Sequence, residues 1–431
     1  MYLRKIVKHL FHHETIKGNI YLIYLLYISI IIFCSFLFAY IFSNNFNVIN
    51  RHNEIILENI TFEFGELIRN MYDNKGYFHT VNDVKYYLTK LPVVPLLLWS
   101  ISKISLNYFF IIILKNFIIF SIYFYFLYKL LGKFNNNYFF LLILFVPILI
   151  PYNLSVSLNY VYEDNIISIF LPLLFLSLIS DNNNRFYYTS LILFILYFTK
   201  TSMFLLTLIV PLVIIFTENK VIFVKKIIPL IVVIVSILIW GLFGFSKTGK
   251  FPFGSSGASN NSYVLSYALN KEFRNYYPDK STDLIPIESL NYKFNTEWER
   301  YDYYKIKNQE YLKNNFSRFL VDCGIKIKFI LFGVKKDGVL PNENNEYNND
   351  LRYSSIINKI FLNISIIMLI FNLIINIKNK YLSKDNLYFF VILVFNLLPH
   401  VIAWATSKHL VAITNISIIY LIVVLNKKHK Y

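Results

Sequence analysis

Three sets of polar residues interrupt a chain otherwise built of apolar blocks, and their types suit acid–base and anion-binding chemistry. The first lies in a long polar stretch, residues 44–104, which contains TFEFGELIRNMYDNKGYFHTVNDVKYYLTKLPVVPLLLWSISK. It offers Glu63, with Glu58 and Glu66 as rivals, then Tyr87 and Lys90 ahead of Pro92. The second is the adjacent pair Glu163 and Asp164, followed at once by an apolar run. The third is basic: Lys200 at the centre of YFTKTSMFLL, and the pair Lys408 and His409 near the C-terminal end. Carboxylates in such places accept protons or ligate a divalent cation, although one adjacent pair supplies too few oxygens to hold a hard ion alone. An ionised group against an apolar segment is costly unless it faces water, a partner or a site.

Each set also has a plainer reading. Glu63 and Glu66, three apart, would share the wet face of a surface helix. Glu163 and Asp164 would favour the positive end of a helix beginning near Asn165. Lys200 and Lys408 would extend toward water from helix ends, as lysines commonly do. Of the lysines, Lys200 argues best for a use, because apolar residues flank it on both sides. His400, beside Pro399, reads as a packed side chain.

The elements that position these residues follow from composition. Of 431 residues, 56% are hydrophobic and 19% aromatic, and the mean hydropathy is +0.49, which is too apolar for a soluble domain. The chain reads as an all-α membrane protein, because a bilayer core takes about 20 apolar residues per helix and many such blocks are present. Spanning segments are expected near 18–43, 105–129, 138–152, 165–180, 187–199, 203–217, 227–246, 354–377, 387–405 and 409–425. The net charge of +17 is spread over segment ends and forms no basic stripe, so nucleic acid is not an expected partner. The two cysteines, Cys34 and Cys323, suggest neither a disulfide nor a metal cluster. The first apolar run is too long for the core of a cleavable signal, and it is expected to remain as a helix.

Lysines and arginines fall on alternate connections: the N-terminal tail, Lys129 and Lys133, Arg185, Lys220 with Lys225 and Lys226, Lys378 to Lys384, and the C-terminal tail. The positive-inside rule then puts both termini in the cytoplasm. The run from Tyr187 to Thr217 would be about 46 Å long as a single helix, and would separate Arg185 from the Lys220 cluster. A hairpin turning at Thr199-Lys200-Thr201 resolves both problems and brings Lys200 to the outer surface. The piece LPVVPLLLWSIS is too short to span and is expected to re-enter or lie at the interface. Three regions result: a transmembrane module with the candidate site over 1–246, an extracytoplasmic cap over 247–353, and C-terminal transmembrane helices over 354–431. The cap opens with TGKFPFGSSGASNN, continues with a charged helical piece, and ends in the amphipathic IKIKFILFGVKK.

Taken in order, these features resemble the GT-C glycosyltransferases, polytopic enzymes that include protein O-mannosyltransferases and the aminoarabinose transferases of lipid A. The resemblance is one of layout. A first helix is followed by an outer loop with an acidic residue and ELIRNMYDNKGY, then by Tyr87-x-x-Lys90 before Pro92. Pro147, the Glu163-Asp164 pair, the basic hairpin tip in YFTKTSMFLL and Lys408-His409 at the last helix follow. It implies inverting transfer of a sugar from a polyprenyl-phosphate donor to a lipid, glycan or protein acceptor at the outer face of a bacterial plasma membrane. The catalytic carboxylates would come from Glu63, Glu163 and Asp164. Tyr87, Lys90, Lys200, Lys408 and His409 would bind the donor phosphate, and a divalent cation is a candidate cofactor. Two other classes share part of this pattern: an O-antigen or polysaccharide polymerase, and a transporter of lipid-linked glycan. The early long loop and the Lys200 hairpin favour the transferase over the first. The absence of a visible repeat, with charges gathered at segment ends, disfavours the second.

Overall fold

The computed structural model describes residues 16–45, 62–81, 83–131, 137–158, 163–218, 221–256, 294–332, 345–378, 383–402 and 410–428. Most of these are helical. In chain order the elements are α1 (Ile16–Asn45), α2 (Phe62–Tyr72), β1 (His79–Val81), β2 (Val84–Tyr86), α3 (Val93–Ser102), α4 (Tyr108–Leu131), α5 (Asn137–Leu149) and α6 (Pro151–Leu158). There follow α7 (Glu163–Ile179), α8 (Arg185–Thr199), a 3₁₀ turn (Thr201–Met203), α9 (Phe204–Thr217) and α10 (Phe223–Thr248). Last come α11 (Glu297–Phe332), α12 (Asn345–Lys378), α13 (Lys384–Ile402) and α14 (Val411–Lys428).

A helix stands at each of the ten expected positions, but among the described residues five are long and apolar enough to cross a membrane by length and composition: Ile20–Leu37, Phe109–Leu131, Phe223–Thr248, Ile356–Ile375 and Lys384–Ile402. The expected span at 138–152 is divided between α5 and α6, which meet at Ile150 and Pro151. Proline lacks the amide proton a continuous helix needs, so the break falls where the sequence has Pro151. A two-stranded antiparallel hairpin, His79 opposite Tyr86 and Val81 opposite Val84, adds to the expected all-α architecture. The IKIKFILF part of the amphipathic piece continues α11, whose course is interrupted by non-helical backbone at Asn315.

The bundle is arranged around α7. Every residue from Asp164 to Leu178 is buried, and the helix packs against α4, α6, α8, α13 and α14. A helix apolar on all faces belongs at the centre of a bundle. By contrast, α1, α10 and α12 turn large apolar side chains outward, including Tyr21, Phe33, Leu242, Phe245, Ile367 and Ile374. An apolar periphery is the surface that lipid would cover.

Amide side chains join the interior helices. Asn358 on α12 donates to the Asn153 side-chain carbonyl at 2.7 Å, Asn153 on α6 donates to Asn415 at 2.9 Å, and Asn415 on α14 donates to the Ser168 carbonyl at 3.1 Å. Among apolar side chains these bonds help select which helix faces meet.

Helices α8 and α9 form the expected hairpin. Arg185 opens α8, Glu218 follows α9, and the two side chains meet at 2.7 Å, so the 3₁₀ turn between the helices lies at the far end. Lys200 occupies the extended residue of that turn (φ −153°, ψ 134°). After α10 the chain doubles back against the same helix. Gly241 and Gly244 make this return feasible, since a Cβ on either would collide with Phe251 or Pro252.

Candidate functional site

Four pieces of chain converge where α7 begins. As the central helix, α7 sets its first turn, Glu163 and Asp164, on the axis of the bundle, and its positive end favours both carboxylates. The α8–α9 turn brings Lys200, whose ammonium donates to Asp164 Oδ1 at 2.9 Å. The first loop brings Lys90, which stands 3.9 Å from Glu163 Oε1 and over the Phe64 ring of α2 at 4.9 Å. The strap after α10 closes on the turn, with Ser255 donating its amide to Thr201 Oγ1 at 3.0 Å.

The two ion pairs differ. Asp164 is buried and held at hydrogen-bond distance, whereas Glu163 is partly open and only loosely paired with Lys90. Glu163 is therefore the carboxylate with room to accept a proton from a third group, and Asp164 the one that orients Lys200. Both already face an ammonium, and among the described residues no group of three His, Cys, Asp or Glu side chains gathers that could hold a metal ion.

The first loop reaches this place through its own bonds. Asn70 on α2 donates to the Phe78 carbonyl at 2.8 Å, and the Thr80 amide donates to Glu66 at 2.9 Å, fixing the hairpin to the helix. His79 and Thr89 pair at 2.9 Å, and the Tyr77 hydroxyl donates to the Lys90 carbonyl at 2.8 Å. Burial, followed by the charge of Glu163, pushes the Tyr77 hydroxyl well above the usual tyrosine range, so it stays protonated.

Of the residues singled out in the sequence, the structure gathers Lys90, Glu163, Asp164 and Lys200. Glu63 lies on α2, but its side chain falls outside the described residues, as do Glu58, Lys408 and His409. Glu66 has the structural role just described. Tyr87 packs on Phe78 and turns to a neighbouring cleft, while its amide donates to Glu297 at 3.3 Å. The place beside Lys90 belongs to Tyr77. His400 is buried on α13.

Sequence reasoning missed Tyr77 and Glu297. The Glu297 carboxylate is buried and accepts hydrogen bonds from the Tyr87 and Leu88 amides and from the Ser256 hydroxyl at 2.8 Å, tying the first loop, the strap and α11 together. Burial raises its pKa above the ordinary carboxylate value, against the lowering effect of these three donors. Its partners lie some 40 and 210 residues away, so no local pattern marks it.

An apolar groove adjoins the ion pairs. It measures about 430 Å³, is lined by Tyr77, Pro92, Leu96, Phe198, Trp240 and Phe243, and runs between α3, α8 and α10. Tyr77 links the two, with its ring in the groove and its hydroxyl on the Lys90 backbone carbonyl. Set against known family models, curated proteins and solved structures, the chain matches none.

Proposed function

We propose that the protein is a glycosyltransferase of the membrane, moving a sugar from a polyprenyl-phosphate donor to a lipid, glycan or protein acceptor. What supports the reading is a paired lysine–carboxylate cluster and an apolar groove linked through Tyr77, whose ring lines the groove and whose hydroxyl donates to the Lys90 backbone carbonyl. A donor with a long apolar tail and an anionic phosphate needs both surfaces side by side. The tail would lie along Leu96, Phe198 and Phe243, and the phosphate between Lys90 and Lys200.

Glu163 takes the proton of the acceptor hydroxyl, whose oxygen then forms a bond to the sugar anomeric carbon. The bond from that carbon to the phosphate oxygen breaks, its electron pair stays on the phosphate, and the lysines stabilise the developing charge. Attack opposite the leaving group inverts the anomeric centre. The phosphate draws Lys90 away from Glu163, which frees the carboxylate as donor binds. Asp164 holds Lys200 in position throughout.

The test is transfer by purified protein in nanodiscs from radiolabelled polyprenyl-phosphate mannose, glucose and aminoarabinose to extracted membrane acceptors. Glu163→Gln is expected to lower turnover by about 100-fold or more, the usual contribution of a positioned base. Lys200→Ala should cost about as much, as loss of one stabilising group on a leaving oxyanion does. Full transfer by both variants would remove the assignment, and absence of transfer with every donor would remove the class.

A further inference from the structure

We propose that the cleft between the β1–β2 hairpin, the end of α10 and the start of α11 binds a neutral saccharide chain. The cleft has a volume of about 800 Å³, within the range of about 300–1,000 Å³ that ligand sites occupy. Its walls carry the rings of Tyr87, Trp298 and Tyr303, and Asn295 and Asp302 lie among them.

Three features argue for sugar over other ligands. The first is charge balance: Lys85, Lys247 and Lys250 face Glu297, Glu299 and Asp302, three against three, so neither a polyanion nor a polycation is favoured. The second is the mixture of donors and acceptors around the rings. A hydroxyl both gives and takes a hydrogen bond, and the half-exposed pair of Lys250 and Asp302, 2.9 Å apart, presents an ammonium and a carboxylate for the two directions. The C–H faces of a pyranose need an apolar ring to lie on, and the aromatic side chains supply it. The third is the Trp298 indole N–H, which is buried and has no hydrogen-bond acceptor among the described residues. A buried donor left in this condition is costly, and a sugar oxygen would relieve it.

The first loop links the cleft to the ion-pair cluster. Glu297 lines the cleft and receives the amides of Tyr87 and Leu88, and Lys90 follows two residues later. Calling that saccharide the acceptor rests on the transferase reading, whereas its binding does not.

The experiment uses full-length protein in nanodiscs, since sugar-headed detergents would compete. Saturation-transfer NMR is recorded with neutral trisaccharides of glucose, galactose, mannose and N-acetylglucosamine, and with a sulfated disaccharide as the anionic comparison. At least one neutral trisaccharide is expected to receive saturation, and Trp298→Ala to weaken its binding at least tenfold. Asp302→Asn, at a half-exposed position that tolerates change, should weaken it several-fold, and it serves as the variant certain to test the cleft if Trp298→Ala does not fold. Silence from every neutral trisaccharide, preference for the sulfated probe, or binding unaltered in Asp302→Asn would each overturn the assignment. Binding by a protein without transferase activity would leave the cleft standing and remove only its role as acceptor site.

Discussion

A single side chain, Glu297, ties the first loop, the strap and α11 together beside the candidate site. Its folded pKa is raised, so between the unfolded and folded values the folded state binds the extra proton. Stability from this group is therefore fully present below about pH 4.3, the unfolded value, and is lost as pH rises through the higher folded one. Hydrogen-exchange protection of the Tyr87 and Leu88 amides, corrected for intrinsic exchange, is expected to fall over that interval. Glu297→Gln should flatten the dependence, and an unchanged slope in that variant would show that another group titrates. Lys90, Glu163, Asp164 and Lys200 were legible in the sequence, because a charge beside an apolar run is conspicuous whatever it touches. Tyr77 and Glu297 were not, since a tyrosine among 35 and an acid in a charged helix stand out only through distant partners.

At the scale of elements, the α8–α9 hairpin is held at its base by charge. Glu218 is buried and accepts from Arg185 at 2.7 Å, Lys384 at 2.7 Å and the Tyr388 hydroxyl at 3.1 Å, joining both helices to α13. Burial alone would raise its pKa, but hydrogen bonding to Lys384 and the charge of Arg185, with further help from Lys384 and Tyr388, outweigh burial and lower it. Its stabilisation is thus present above the unfolded value of about pH 4.3 and lost as pH falls through the lower folded one. Removing one partner of a buried pair strands the other, so Glu218→Ala should destabilise by about 3–5 kcal/mol, read as a lowered unfolding temperature in nanodiscs. A shift within error would mean that Arg185 and Lys384 find water on their own. The turn opposite this lock carries Lys200, so on the proposed transferase reading a loosened base should also reduce transfer.

For the whole molecule, the basic connections gather at one end. Arg185 and Lys384 meet on Glu218, Asn182 donates to the Lys129 carbonyl at 2.7 Å, and Lys226 donates to the Ile215 carbonyl at 3.2 Å. Clustered basic connections of this kind are what the positive-inside rule expects of one face of a membrane protein. With Cys34 and Cys323 replaced by serine, Lys85→Cys is expected to react with an impermeant maleimide applied to intact cells. Asn183→Cys should react only after permeabilisation. The reverse pattern would invert the topology and move the site to the cytoplasm.

By itself the sequence determined the helical, apolar character of the chain, the positions of its helices and the turn at Lys200. Hydropathy, charge and proline act over a few residues, so they can be read along the chain. Only the tertiary structure decided that α7 is central, that Lys90 meets Glu163 and Lys200 meets Asp164, and that Glu297 closes the first loop onto α11. Those outcomes depend on which helix faces pack together, and apolar faces are nearly interchangeable until buried amides such as Asn153, Asn358 and Asn415 select among them.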